Sequence, residues 1–230
     1  MKAYLIEKIE EKEVVTTEYE KRLQFELLYF EPHLTLLARY WNLKKQGHLL
    51  FPEMSTACSS LVLHLLGLNP MDPLLFDLPF LLETDNIETD LCFYCNDLAI
   101  DSASGLSLRP LRLLSDLHVV CDYLNVDLDT ITQKVVQESY IHDFIEDLID
   151  NIDLRSRSYF LHQTTIDYFH KLEECRATTF EELVKYAYNT HIQIYPNTER
   201  KKHLIGEVYM DVLLVGWIWR LGRLKTRKMI

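Results

Sequence analysis

Apolar residues at positions 23, 27, 30, 34, 37, 38 and 41 recur at three- to four-residue spacing through Glu18–Gln46, the period of one helix face. Pro32 interrupts the run, because proline lacks an N–H and clashes with the preceding turn. The stretch therefore predicts two helices, the second stopped at Gly47. Leu50–Pro52 is a short apolar piece, a strand or a turn. Ser55 or Thr56 offers a cap for a helix running to about Leu66, where Gly67 and then Asn69-Pro70 stop it. Asp72-Pro73 opens a further short helix around Leu74–Leu82. Leu91–Tyr94 is a short strand candidate, and Asp101–Pro110 (DSASGLSLRP) reads as a loop and candidate linker.

Beyond it, Leu111–Leu124 and Leu128–Val136 read as helices. So does Ile141–Ile152, with Ile141, Phe144, Ile145, Leu148, Ile149 and Ile152 on one face. Thr165–Leu172 and Phe180–Tyr188 follow, and Tyr195-Pro196-Asn197 breaks the chain before a final helix over Leu204–Leu221. The pattern is mostly helical with little strand, and no repeat or low-complexity tract interrupts it.

With 230 residues and 48% hydrophobic content, the chain has material for a sizeable core in one domain or two small ones. The net charge of −11 argues against a large nucleic-acid footprint, which requires cations on phosphates. The cations are unevenly placed, however. Arg220, Arg223, Lys225, Arg227 and Lys228 crowd the last eleven residues, so −11 less these five positive charges leaves −16 for residues 1–219. The odd count of five cysteines (Cys58, Cys92, Cys95, Cys121, Cys175) suggests a reducing compartment. The N-terminal MKAYLIEKIEEKE is charged and amphipathic, unlike a signal peptide. The eight-residue apolar run Val212–Trp219 is too short to span a bilayer. The expectation is a cytoplasmic protein with no membrane association.

Several segments resemble the palm of bacterial C-family DNA polymerases, the α subunit of DNA polymerase III. Arg22–Ala38 (RLQFELLYFEPHLTLLA) is similar to that family's helix RLxYELxxI, and Asn42–Gly47 sits at its helix-ending KxxG. Gly67–Phe80 (GLNPMDPLLFDLPF) resembles GxxxxDPLxFDLLFERF, with Gly67, Asp72, Pro73, Leu74, Phe76, Asp77, Leu78 and Phe80 agreeing. Leu111–Val135 looks like the helix pair after the catalytic strand, with Val120, Leu124, Asp129 and Ile131 in register. Tyr159–Tyr186 resembles GVFQFESxGMRxYLRxLKPxSFEDLVAL, where Phe160, Gln163, Leu172, Phe180, Glu181, Leu183 and Val184 fit. The similarity is collinear over most of residues 22–188. The chain is too short for a whole replicative α subunit.

The frame is kept and the chemistry is missing. Polymerase palms hold two divalent ions about 4 Å apart on clustered carboxylates. The family places its acids at alternate residues of PDxDxDF, which period-two geometry puts on one sheet face. The corresponding positions here are Asp90, Cys92 and Tyr94, and one carboxylate is a poor magnesium site. Where the family's glycines and arginine meet a triphosphate at a helix N-terminus, this chain has Phe51, Glu53, Met54, Ser55 and Thr56. Glu53 repels phosphate. The third catalytic aspartate falls in a region deleted between Asp153 and Tyr159. The resemblance thus implies no catalytic residue, no phosphate-binding residue, no metal and no cofactor.

Other signals have ordinary readings. Cys92-Phe93-Tyr94-Cys95 is a lone CxxC without the second pair that zinc normally needs, so buried or edge cysteines are the better reading. His142 and Glu146, beside Asp143 and Asp147, fit a solvated acidic helix face. His162 and His170 read as structural. Trp217, Trp219 and Val212–Val215 fit a core helix with a solvated basic tail, the competing reading being a docking segment.

The expected fold is α+β, mostly helical, with a small remnant polymerase-palm, nucleotidyltransferase-like sheet. Residues 1–175 would form a degenerate palm-like domain with a linker at 101–110, and 176–230 a fingers-like start and the basic C-terminal helix and tail. The expected function is that of a catalytically inactive palm homologue, an accessory or protein-interaction factor in replication or repair that binds a protein partner or itself. The alternatives are a DNA-binding module using Arg220, Arg223, Lys225, Arg227 and Lys228, and a nucleotidyltransferase with a relocated acid set such as Asp90 with Asp97 or Asp101.

Overall fold

A computed structural model describes residues 4, 17–53, 56–82, 87–97, 105–110, 112–137, 175–194 and 204–228. The expected segments Ile141–Ile152 and Thr165–Leu172, residues Met54, Ser55, Asp101, His162 and His170, and the region between Asp153 and Tyr159 lie outside them. The described fold is mostly helical with one small mixed sheet, an α+β arrangement. It divides into two compact units, Met1–Ser115 and Asp116–Ile230, whereas the sequence placed its boundary at 175/176.

In the first unit, α1 (Thr17–Phe30) and α2 (Leu34–Lys45) are separated by a 3₁₀ turn, Glu31–His33, with Pro32 inside it. Their apolar stripe is buried at Leu23, Phe30, Leu37 and Tyr40. Helix α2 ends at Gly47, whose φ of 89° is the left-handed conformation glycine adopts without strain. His48 N–H then reaches back to Leu43 O and Gly47 N–H to Lys44 O, the paired bonds of a Schellman cap.

β1 (Leu50–Pro52) follows, then a 3₁₀ turn, Ala57–Ser59, and the five-residue α3 (Leu61–Leu65). The cap of α3 is Ser60, whose Oγ accepts from Leu63 N at 3.1 Å. Thr56 instead heads the 3₁₀ turn without a side-chain cap bond. Gly67 (φ 70°) closes α3 as expected. The short helix expected at Leu74–Leu82 reduces to one turn. Leu78 N–H returns to Pro73 O and Asp77 sits at φ 50°. Pro79 explains the stop, because the residue before a proline is driven out of helical conformation.

α4 (Ile87–Asp90) leads into β2 (Phe93–Cys95), and β3 (Leu108–Pro110) completes the sheet in the order β1-β2-β3. β3 is a departure from the loop expected over 101–110. Three residues are too few for period-two alternation to register in a sequence. β1 pairs antiparallel to β2, with Pro52 opposite Phe93, and β3 pairs parallel to β2, with Pro110 opposite Cys95. One sheet face, through Leu50, Phe93, Cys95 and Leu108, enters the core with Tyr40. The Tyr40 ring lies 4.8 Å from that of Phe93. Its hydroxyl donates to Leu91 O at 2.5 Å and accepts from Ser107 N at 3.1 Å, so it ties together the chain entering β2 and the chain entering β3.

α5 (Arg112–Leu124) crosses the division between the units and ends at Asn125, which takes glycine's left-handed role at φ 53°. The second unit contains α6 (Leu128–Val136), α7 (Phe180–Ile194) and the 25-residue α8 (Leu204–Lys228). α6 is capped by Asp127, which accepts from Thr130 N at 2.9 Å. α7 is capped by Thr179, which accepts from Glu182 N, while Glu182 accepts from the N–H groups of Thr178 and Thr179. That reciprocal pair is a capping box.

Helix α8 packs against α6 and α7. Val212, Leu213, Leu214 and Trp217 are buried, and Trp217 Nε1 donates to Thr132 Oγ1 at 2.9 Å. This is the core-helix reading rather than a docking segment. Gly216 sets the closeness of α6, since a Cβ there would meet Val135 Cγ1 at 2.5 Å. No described helix is long and apolar enough to cross a membrane.

Gly216→Ala is expected to destabilise the protein by roughly 1–3 kcal/mol through overpacking. Val135→Ala in the same chain should relieve part of that loss, giving a non-additive double-mutant cycle in urea melts. Additive losses would show that the contact does not limit helix approach.

Candidate functional site

The sheet face opposite the cluster of Leu50, Phe93, Cys95 and Leu108 brings together four of the positions singled out in the sequence and one that was not. Tyr94 stands opposite both Phe51 and Arg109 in the strand register. Residues two apart share a face, so Cys92 and Glu53 join them, and Glu53 N–H continues the ladder to Cys92 O at 2.9 Å. Arg109 Nη1 reaches Glu53 Oε1 at 2.6 Å. The ion pair thus runs between the two outer strands, alongside the positions of Cys92 and Tyr94 on the central one.

Charge and burial fix the chemistry of this face. Burial, followed by the hydrogen bond to Glu53, pushes the Cys92 thiol up. Burial and then the Glu53 charge push the Tyr94 phenol up as well. Both side chains are therefore neutral at physiological pH, and neither supplies the anionic oxygen a magnesium ion requires. Arg109 was not anticipated from the sequence, because residues 101–110 read as a loop. Its signal is legible only once the register places it beside Tyr94.

Asp90 is not on this strand. It ends α4 and its Oδ1 accepts from Thr56 Oγ1 at 3.1 Å. Cys92 and Cys95 lie three apart, on opposite faces of the β2 chain, with Cys95 in the core cluster. The CxxC pair therefore cannot converge on one ion. Among the described residues no three His, Cys, Asp or Glu side chains converge as metal ligands.

The first turn of α3 has its own buried anion. Glu26 on α1 is fully buried. Its carboxylate accepts from Ser60 Oγ (2.7 Å), Leu61 N (3.0 Å), Val62 N (2.9 Å) and Arg22 Nε (2.5 Å). The first turn of α3 is thereby satisfied by a side chain of the same protein. Burial pushes the Glu26 carboxyl up, and the hydrogen bonds from Val62 and Ser60 and the Arg22 charge pull against it. Every partner is a donor, so the ionised form fits this nest. Arg22 also donates to Ser59 O at 2.6 Å and Leu78 O at 3.3 Å, and its guanidinium lies 5.5 Å from the centre of the Phe80 ring.

The basic positions at the chain end lie on the last turns of α8. Arg220 is half-buried and Arg223 is exposed, while the side chains of Lys225, Arg227 and Lys228 lie outside the described residues. Compared with protein-family models, curated proteins and solved structures, the chain matches none.

Glu26→Gln turns an amide NH₂ toward a nest whose backbone N–H groups and guanidinium only donate, and leaves Arg22 unneutralised. It should cost about 3–5 kcal/mol, the scale for breaking a buried pair, read as a lower urea midpoint. A loss within a few tenths of a kcal/mol would show that the nest is not a structural anchor. The five cysteines are free and buried, and burial pushes Cys121 up to about 11 from 9.0. At pH 8 its thiolate population falls on the order of a hundredfold. Titration with a disulfide reagent should count five thiols only after denaturation, and rapid native labelling would contradict this packing.

Proposed function

We propose that this protein is a catalytically inactive relative of the C-family polymerase palm that serves as an accessory or protein-interaction factor in DNA replication or repair. The observation that carries the reading is the occupation of the sheet face that a polymerase gives to its metal ions. Glu53 and Arg109 satisfy one another there at 2.6 Å, beside the neutral side chains of Cys92 and Tyr94. A divalent cation would find one carboxylate, already paired, and an incoming triphosphate would meet the negative charge of Glu53.

The residues that match the polymerase motifs hold the frame. Arg22 and Glu26 of the RLxYEL segment bind the backbone at Ser59–Val62 and at Leu78. Asp72 of the DPLxFDL segment accepts from Tyr19 Oη at 2.9 Å. A frame maintained by buried polar contacts while its site has lost its acids suits a scaffold for binding.

A second reading is favoured by one observation. Helix α8 runs through Lys228 and carries Arg220, Arg223, Lys225, Arg227 and Lys228 at its end, while the rest of the chain is acidic. Such a helix end offers the cations with which a DNA-binding module would meet phosphates. Its cations also complement the helix dipole, which is a sufficient structural reason for them.

Titration of a labelled primer–template duplex, followed by fluorescence anisotropy at low and moderate salt, separates the two readings. The accessory-factor reading expects no micromolar binding and no magnesium-dependent primer extension. Primer extension would overturn it. Micromolar binding that steepens at low salt, and is weakened by charge reversal at Arg223, Lys225 and Arg227, would establish the DNA-binding reading instead.

A further inference from the structure

His64, on the last turn of α3, faces hydrogen-bond acceptors through both ring nitrogens. Its Nδ1 lies 3.1 Å from Asn69 O, and its Nε2 lies 3.7 Å from Asp72 Oδ2. A carbonyl oxygen only accepts, so Nδ1 carries a proton. In the neutral ring the remaining lone pair then points at a carboxylate, and a second proton converts that repulsion into an ion pair.

Asp72 is itself fixed. It accepts from Tyr19 Oη at 2.9 Å and from Leu74 N at 3.1 Å, and only 7% of it is exposed. Burial and then the Asp72 charge push the Tyr19 phenol up, so Tyr19 stays a donor and the negative charge stays on Asp72. The Asn69 side chain anchors the other end of the turn, donating to Cys58 O and Met71 O and accepting from Met71 N. Lys44 also lies near the turn, its Cε 3.6 Å from where a Cβ at Gly67 would sit, and its charge opposes a second positive charge there.

We propose that His64 is a protonation-dependent clip, whose imidazolium joins α3 to the 69–72 turn and, through Asp72 and Tyr19, to α1. The clip is closed at mildly acidic pH and slack at alkaline pH, in the range where a histidine changes charge. The folded chain binds this proton more tightly than the unfolded chain. The resulting stabilisation is therefore complete below the unfolded histidine's titration and is lost as pH rises through the folded one.

The test is an NMR titration of the His64 ring in the full chain and in Asp72→Asn. The clip predicts a His64 midpoint above that of a histidine in an unstructured peptide, about 6.5, and a downward shift in Asp72→Asn. A midpoint at or below the peptide value overturns the proposal, as does an unchanged midpoint in the variant. Should Asp72→Asn fail to fold, the wild-type midpoint decides alone, and urea melts at pH 6 and pH 8 supply the second reading. Stability that fails to fall between those two pH values in wild type, relative to His64→Gln, overturns the clip.

Discussion

The carboxylate of Glu26 is the constraint around which the first unit is organised. A buried charge is tolerable only when its oxygens are fully used, and this one receives a guanidinium, a hydroxyl and two backbone N–H groups. Those donors come from α1 and from the start of α3, so satisfying one ion fixes the distance and rotation between two elements 34 to 36 residues apart in sequence. Arg22, recruited to neutralise it, then reaches the carbonyls of Ser59 and Leu78. The turn that carries the DPLxFDL residues is thus tethered to the same charge.

Most of the longer described helices were legible because their signals are periodic and local. The paired helices around Pro32, the Gly47 and Gly67 stops and α5 and α6 follow from apolar spacing and from conformations that favour glycine. The final helix was legible too, although it runs seven residues past the expected Leu221 because nothing in RLGRLKTRK breaks it. What the sequence hid was non-local. β3 is recognisable only through its partner, and Arg109 matters only because the register sets it beside Tyr94. Ser60, rather than Ser55 or Thr56, caps α3 because Glu26 holds that serine and the next two N–H groups in place. Asp90 was expected on the strand with Cys92 and Tyr94, but α4 absorbs it into a helical turn.

The candidate site also separates two uses of polar residues. Glu26 is buried, with Arg22 half-buried over it, and the two serve geometry. Arg109 is 64% exposed while its partner Glu53 is 12% exposed, so their pair lies at the surface and contributes little to stability. Its effect is on the chemistry of the face, where each charge occupies the position beside its partner that a ligand of its own sign would take.

The two outer strands have a further property. Glu53 N–H points inward to Cys92 O, so alternation turns Pro52 outward. Ser107 O accepts inward from Phe93 N, so alternation likewise turns Pro110 outward. At each edge of the described sheet one outward-facing position, Pro52 or Pro110, therefore has no N–H to offer, although Leu50 and Leu108 turn outward too. Such edges resist the addition of another strand. The proline at each edge hinders edge-to-edge pairing of so short a sheet, so a partner that meets it there gains more from side chains than from extending its backbone ladder.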